Sequence, residues 1–90
     1  GRLDLHGMTQ AEAHPALEDF LEWAQANAKR CVIVITGKGL RADGRIGVLR
    51  TMVPRWLNDA PNRDRIIAFN HAQPKDGGEG ALYVLLKKRP

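Results

Sequence analysis

The sequence contains one cysteine, Cys31, among 90 residues. A lone cysteine excludes an internal disulfide and any zinc cluster built from cysteines. The chain also lacks a run of about eighteen or more apolar residues and the architecture of a signal peptide, so neither a membrane span nor secretion is indicated. We find no internal repeat and no low-complexity segment. These absences favour a reduced, cytoplasmic setting with no membrane partner.

Size and charge set the next limits. With 43% apolar residues, the chain is expected to form a single domain over residues 1–90. Because it begins at Gly1 and enters a strand at once, we expect it to be part of a longer protein. Fourteen Lys and Arg against ten Asp and Glu give a formal charge of +4 and a pI near 9.7. This excess is consistent with a polyanionic partner, although a solvated surface is the better explanation for any single basic residue.

Hydrophobic periodicity predicts the order β-α-β-α-β-β. Thr9 and Glu12 have the spacing of a capping box, and Pro15 predicts either a kink or a later helix start near His14. The predicted segments are strand 3–7, a helical stripe at Ala13, Leu17, Phe20, Leu21, Ala24 and Ala28, strand 31–36, a second stripe at Ile46, Leu49, Met52, Val53, Trp56 and Leu57, strand 65–70 and strand 81–87.

This order predicts an α/β two-layer sandwich with a four-stranded mixed sheet and two helices on one face. Strands separated by helices are expected to run parallel, and the last strand is expected to return antiparallel. The two most apolar strands, 31–36 and 81–87, are expected to be central. The other face of the sheet is then left open.

The topology brings four distant segments to one edge of the sheet. The carboxyl ends of the first three strands and the amino end of the fourth meet there, which collects His6-Gly7, the turn 37–39, His71 and the segment 77–80. Ligands of open α/β sheets bind outside the carboxyl ends of strands. This edge is therefore the predicted functional site.

Two histidines at this edge are candidates for proton transfer. In a continuous strand Asp4 and His6 share one face, where the carboxylate can fix the tautomer of the imidazole. His71 adds a second imidazole, so that the two can act as base and acid on one phosphodiester. The alternatives are a polar outer face for the first pair and a structural loop histidine for His71.

The glycine-rich segments are candidates for phosphate binding. Glycines let backbone N–H groups approach an anion, and Lys38 adds a positive charge, although the spacing is not that of a P-loop. The predicted contacts to phosphate or nucleic acid are Gly7, Thr36, Gly37, Lys38, Gly39, Arg41, Arg45, Gly78 and Gly80. The alternative is a turn that merely ends a strand.

Together these motifs resemble the small MutS-related (Smr) domain family. The resemblance rests on LDLHG at 3–7, ITGKG at 35–39, WL at 56–57 and GGEGALYVLL at 77–86. It implies a fold similar to the C-terminal domain of the third bacterial initiation factor. It also implies nucleic-acid binding, often with endonuclease activity on DNA or RNA, including messenger RNA on stalled or collided ribosomes. Some relatives carry histidine where this chain has Thr36, and threonine cannot replace its proton transfer.

The leading hypothesis is an endonuclease domain in which Asp4 orients His6, His6 acts as base or acid, and Lys38 holds the phosphate. RNA cleavage requires no cofactor, whereas DNA cleavage needs an activated water, for which Asp4 with Asp43 or Glu79 could hold magnesium. The alternative is a DNA-, RNA- or ribosome-binding module that does no chemistry.

Overall fold

The computed structural model describes residues 1–37, 48–72 and 80–88. The elements in chain order are β1 (Arg2–Asp4), α1 (Gln10–Ala26), β2 (Cys31–Ile35), α2 (Val48–Asn58), α3 (Asn62–Arg65), β3 (Ile66–His71) and β4 (Ala81–Leu86). The predicted α/β order is confirmed, with one addition: the sequence did not predict α3, a single turn of helix directly before β3.

The sheet has the strand order β1-β2-β4-β3. β1 pairs parallel with β2, and β4 pairs antiparallel with both β2 and β3. The first three strands therefore share one direction, and the two most apolar strands are central, as predicted. A bulge between Ile66 and Ala68 interrupts the pairing of β3 with β4.

One face of the sheet is covered by α1 and α2 and carries the hydrophobic core. We call it the helix-covered face, and its strand residues include Val32, Val34, Leu82, Val84 and Leu86. The helices contribute the buried residues Ala13, Leu17, Leu21, Ala24, Leu49, Val53, Trp56 and Leu57. The predicted stripes are thus confirmed except at two positions. Ala28 is exposed and has a φ of 59° beyond the helix end, and Ile46 lies outside the described residues.

The start of α1 is fixed by a complete capping box. The Thr9 hydroxyl accepts a hydrogen bond from the Glu12 backbone N–H, and the Glu12 carboxylate accepts one from the Thr9 backbone N–H. The helix consequently begins at Gln10 and contains Pro15, so the expectation of a later start near His14 is wrong.

His14 links the two long helices. Its ring stacks on Trp56 with the ring centroids 4.5 Å apart and an angle of 5° between the planes, and its Nε2 lies 3.3 Å from a Glu18 carboxylate oxygen. The end of α2 is held by Asn62, whose side-chain amide donates to the Trp56 carbonyl at 3.1 Å. None of the described helices is long and apolar enough to cross a membrane.

The opposite face of the sheet is not covered by either helix. We call it the open face, and its residues include Cys31, Ile33, Ile35, Tyr83 and Leu85. These side chains are exposed or half-buried, although all of them except Tyr83 contain no oxygen or nitrogen atom and are poorly solvated by water. The predicted two-layer arrangement with one open sheet face is therefore confirmed.

Candidate nucleic-acid interface at one edge of the sheet

Main-chain hydrogen bonds tie the carboxyl end of β2 to the amino end of β4. The carbonyl oxygen of Gly80 accepts hydrogen bonds from the backbone N–H groups of Thr36 at 2.8 Å and Gly37 at 3.1 Å. Directly after β1, the Leu5 N–H donates to the Ile35 carbonyl at 2.8 Å, which joins the first strand to the same edge. These bonds bring the ends of β1 and β2 and the start of β4 to one edge, as predicted for Gly37 and Gly80, whereas residues 38–39 and 77–79 lie outside the described residues.

Thr36 is directed inward at this edge. It is 8% exposed, and its hydroxyl lies 3.0 Å from the Gly37 carbonyl and 3.4 Å from the Gly80 carbonyl, with both oxygens accepting. The backbone N–H groups of Thr36 and Gly37 also have intramolecular acceptors. These groups therefore position the edge, and a phosphate could use them only by breaking bonds that they already make.

Asp4 closes a turn at the end of β1. Its Oδ1 accepts a hydrogen bond from the backbone N–H of His6 at 2.9 Å, and the Met8 N–H donates to the Leu5 carbonyl at 3.0 Å. This is the local side-chain-to-backbone bond by which aspartate ends regular structure. The strand therefore stops at Asp4, and the expectation that Asp4 and His6 share one face of a continuous strand is wrong.

His6 is exposed and lies directly beside Gly37. A Cβ atom placed on Gly37 would come within 3.8 Å of both Cβ and Cδ2 of His6. The side chain of His6 is exposed, and no described residue hydrogen-bonds its imidazole. Gly7 and Gly37 both have a φ of +83°, a left-handed conformation that favours glycine.

His71 lies away from this pair. It ends β3, which is separated from β1 by β4 and β2, so three strand spacings of about 14 Å in total divide the two strands. His71 pairs with Leu82 on the helix-covered face, whereas Asp4 pairs with Ile35 on the open face. The structure does not bring His71 and His6 together, so the expectation of two histidines astride one phosphodiester gains no geometric support.

Several predicted contacts fall outside the described residues. They are Lys38, Gly39, Arg41, Arg45 and Gly78, together with the candidate magnesium ligands Asp43 and Glu79. Among the residues that are described, no group of three or more histidine, cysteine, aspartate or glutamate side chains could hold a metal ion. The described part of the site thus consists of Asp4, His6, Gly7, the segment 36–37 and Gly80.

Comparison with known proteins identifies the family. The family model for the Smr domain matches residues 3–87. The chain belongs to the Smr domain family. This Smr domain is 38% identical over 84 residues to the ribosome rescue factor SmrB of Vibrio vulnificus, a match that covers 93% of the chain and 43% of that relative. The chain therefore spans less than half the length of this curated relative.

Solved Smr structures share the fold of this domain. The Smr domain of Thermus thermophilus MutS2 superposes with a TM-score of 0.79 at 33% identity and covers 99% of this chain and 98% of that one. YdaL, a stand-alone small MutS-related protein from Escherichia coli, gives a TM-score of 0.84 at 33% identity, covering 97% of this chain and 64% of that one.

Sequence reasoning missed the structural role of Gly80 in this Smr domain. The segment 77–80 was predicted to supply backbone donors to a ligand, yet the Gly80 carbonyl serves as the shared acceptor that fixes Thr36 and Gly37. The signal available in the sequence was the threonine at the end of β2, because a buried hydroxyl there needs an acceptor from a neighbouring strand.

Proposed function

We propose that this Smr domain binds RNA at the sheet edge around His6 and Gly37, as a module of a ribosome-associated cytoplasmic protein. The observation that carries the proposal is the exposed imidazole of His6 packed beside Gly37, the residue after which the sequence becomes rich in cations. The similarity to a relative named as a ribosome rescue factor favours RNA on or near the ribosome as the ligand.

Side chains rather than main-chain amides supply the phosphate contacts in this proposal. The N–H groups of Thr36 and Gly37 already donate to Gly80, so electrostatic attraction comes from Lys38, Arg41 and Arg45, which follow directly in the sequence. Cations that neutralise phosphates release condensed counterions, which makes the affinity fall steeply with salt. His6 would then contact the ribose or the phosphate that lies over Gly37.

A titration of fluorescein-labelled single-stranded RNA, followed by anisotropy at several salt concentrations, tests this proposal. We expect Lys38→Ala to weaken binding and to reduce the slope of log affinity against log salt by about one. Arg55→Ala, which removes an exposed cation from α2, is the matched control and should leave the slope unchanged. Equal effects of both variants, or no binding by the wild type, would contradict the proposal.

Cleavage of the bound RNA is a second candidate function, and the exposed imidazole of His6 favours it. In this step a nitrogen of His6 takes the proton of a ribose 2′-hydroxyl while the 2′-oxygen attacks phosphorus. The bond from phosphorus to the 5′-oxygen breaks, water protonates that oxygen, and a 2′,3′-cyclic phosphate remains. The hydroxide left from that water then takes the proton from His6, which restores the neutral imidazole. Asp4 would act by holding the turn that presents His6, because its carboxylate bonds the His6 backbone.

Incubating the domain with labelled RNA and with supercoiled plasmid, in EDTA and separately in magnesium, tests cleavage. His6→Ala should abolish a cleavage that His71→Ala leaves intact, because His71 is three strands away. Cleavage only in magnesium would instead point to an ion held by Asp4 with Asp43 or Glu79. Loss of cleavage in His71→Ala would refute the one-histidine step, and binding without cleavage would leave the module function alone.

A further inference from the structure

The open face carries an apolar groove of about 450 Å³. Two rows of paired residues form its floor. Cys31 on β2, Leu85 on β4 and Ala68 on β3 make the first row, and Tyr83 on β4 with Asn70 on β3 makes the second. Phe69 completes the lining. The small side chains of Cys31 and Ala68 leave space around the larger Leu85 and Tyr83.

A cluster of cations borders the groove at the end of the sheet opposite His6. The Leu86 N–H donates to the Arg30 carbonyl and the Lys87 N–H to the Arg65 carbonyl, both at 2.8 Å, so three segments that are distant in sequence meet here. We call this cluster the basic rim, and its members are Lys29, Arg30, Arg63, Arg65, Lys87 and Lys88.

The basic rim has little internal neutralisation. Within residues 1–37, 48–72 and 80–88, none of its six members forms an ion pair. Asp64 is the only acidic residue in the segments that carry the rim, 29–30, 63–65 and 87–88. Lys87 directly follows β4 and lies two residues after Leu85, which lines the groove, so the basic rim and the groove are adjacent along the chain.

We propose that the open face is a second binding surface for single-stranded RNA, with bases over Tyr83 and Leu85 and phosphates against the basic rim. An aromatic ring on a sheet surface accepts any base by stacking, and a row of cations follows the backbone. The charge selects this occupant, because an apolar groove edged by unpaired cations fits a ligand with flat apolar faces and a polyanionic backbone. This inference deepens the proposed function, and it rests on that function in one respect: the ligand is RNA.

Cys31 offers a test that leaves the groove unmutated. The thiol is exposed, and it is the single cysteine of the chain. We expect a single-stranded oligouridylate to slow the modification of Cys31 by N-ethylmaleimide several-fold, and a duplex RNA of equal length to slow it less. The control is the double variant C31S/D19C, whose thiol on α1 should react at the same rate with and without RNA.

Two variants test the chemistry of the surface. Tyr83→Leu keeps an apolar side chain but removes stacking, and we expect an affinity loss of roughly 5- to 100-fold. Lys87→Gln should lower the salt slope by about one. Urea unfolding of both variants shows whether they fold normally. If Tyr83→Leu does not fold, the protection of Cys31 by RNA decides whether RNA binds the open face.

The outcomes separate this surface from the one at His6. Protection of Cys31 that persists in Lys38→Ala supports a distinct second surface. RNA binding with unprotected Cys31 and normal affinity in Tyr83→Leu overturns this inference and leaves the proposed function standing, whereas no RNA binding overturns both. If the modification of Cys31 without RNA were slow and became slower at higher protein concentration, a second copy of the domain would cover the open face. That result would also overturn the inference.

Discussion

Both faces of the sheet carry apolar side chains, yet α1 and α2 cover only one of them. Leu85 and Leu86 are neighbours on β4, but Leu86 is fully buried under the helices while Leu85 is 45% exposed on the open face. Burial of apolar area drives folding, so the helix-covered face decides the stability of the domain. An apolar side chain that remains exposed adds little to stability and is available to a ligand.

The largest expected effect comes from the helix-covered face. Leu86→Ala should lower the free energy of unfolding by about 2–5 kcal/mol, because it leaves a cavity among packed core residues. Leu85→Ala is the matched control on the adjacent position and should cost less than about 1 kcal/mol. Urea unfolding of both variants measures the difference, and equal losses would mean that the open face is also buried in solution.

Smaller effects are expected at the turns that form the site. Gly7 has a φ of +83°, and no atom lies within 4 Å of a Cβ placed there. Gly7→Ala should therefore cost about 1–2 kcal/mol through backbone strain alone, without a clash. Gly7→Asn, which tolerates this conformation better, should cost less. A greater loss in Gly7→Asn, measured by urea unfolding, would contradict this origin of the effect.

The layer that covers the sheet also depends on the start of α1. Thr9→Ala removes the hydroxyl that caps the Glu12 N–H and should cost about 1 kcal/mol in urea unfolding. Thr51→Ala, at an exposed position inside α2, provides the control and should change stability by less than about 0.5 kcal/mol. If the two losses were equal, the capping box would not be what stabilises α1.

The smallest expected effect is a dependence of the free energy of unfolding on pH in the acidic range. The hydrogen bonds from the Thr9 backbone N–H and then from its hydroxyl hold the pKa of Glu12 below its ordinary value. This contribution to stability is fully present above the ordinary pKa of glutamate, and it is lost as the pH falls below that value and through the lower folded-state pKa. Glu12→Gln should flatten that part of the stability profile, and an unchanged profile would contradict the assignment.

The sequence predicted the parts of the fold that periodicity and topology govern. The apolar runs that became β2 and β4 identified the central strands, and the rule for parallel strands placed His6, Gly37 and Gly80 at one edge. Periodicity carries no signal for α3, a turn of four residues, so it went unpredicted.

The errors at the site have two physical causes. Alternation was extended to His6, but a hydrogen bond from its backbone to Asp4 ends the strand earlier. His71 was expected at the same edge as His6, and it does lie at the end of its strand. However, the strand order inserts β2 and β4 between β1 and β3, and the pairing with Leu82 places His71 on the helix-covered face. Composition alone reveals neither the strand order nor this pairing.

The most direct test of the proposed RNA surface is a titration of the ¹⁵N-labelled domain with a short single-stranded RNA, followed by amide chemical shifts. The account predicts progressive shifts at His6, Gly7 and Gly37, with Arg55 on α2 unaffected. Shifts confined to the exposed surfaces of α1 and α2, or no shifts at all, would contradict it.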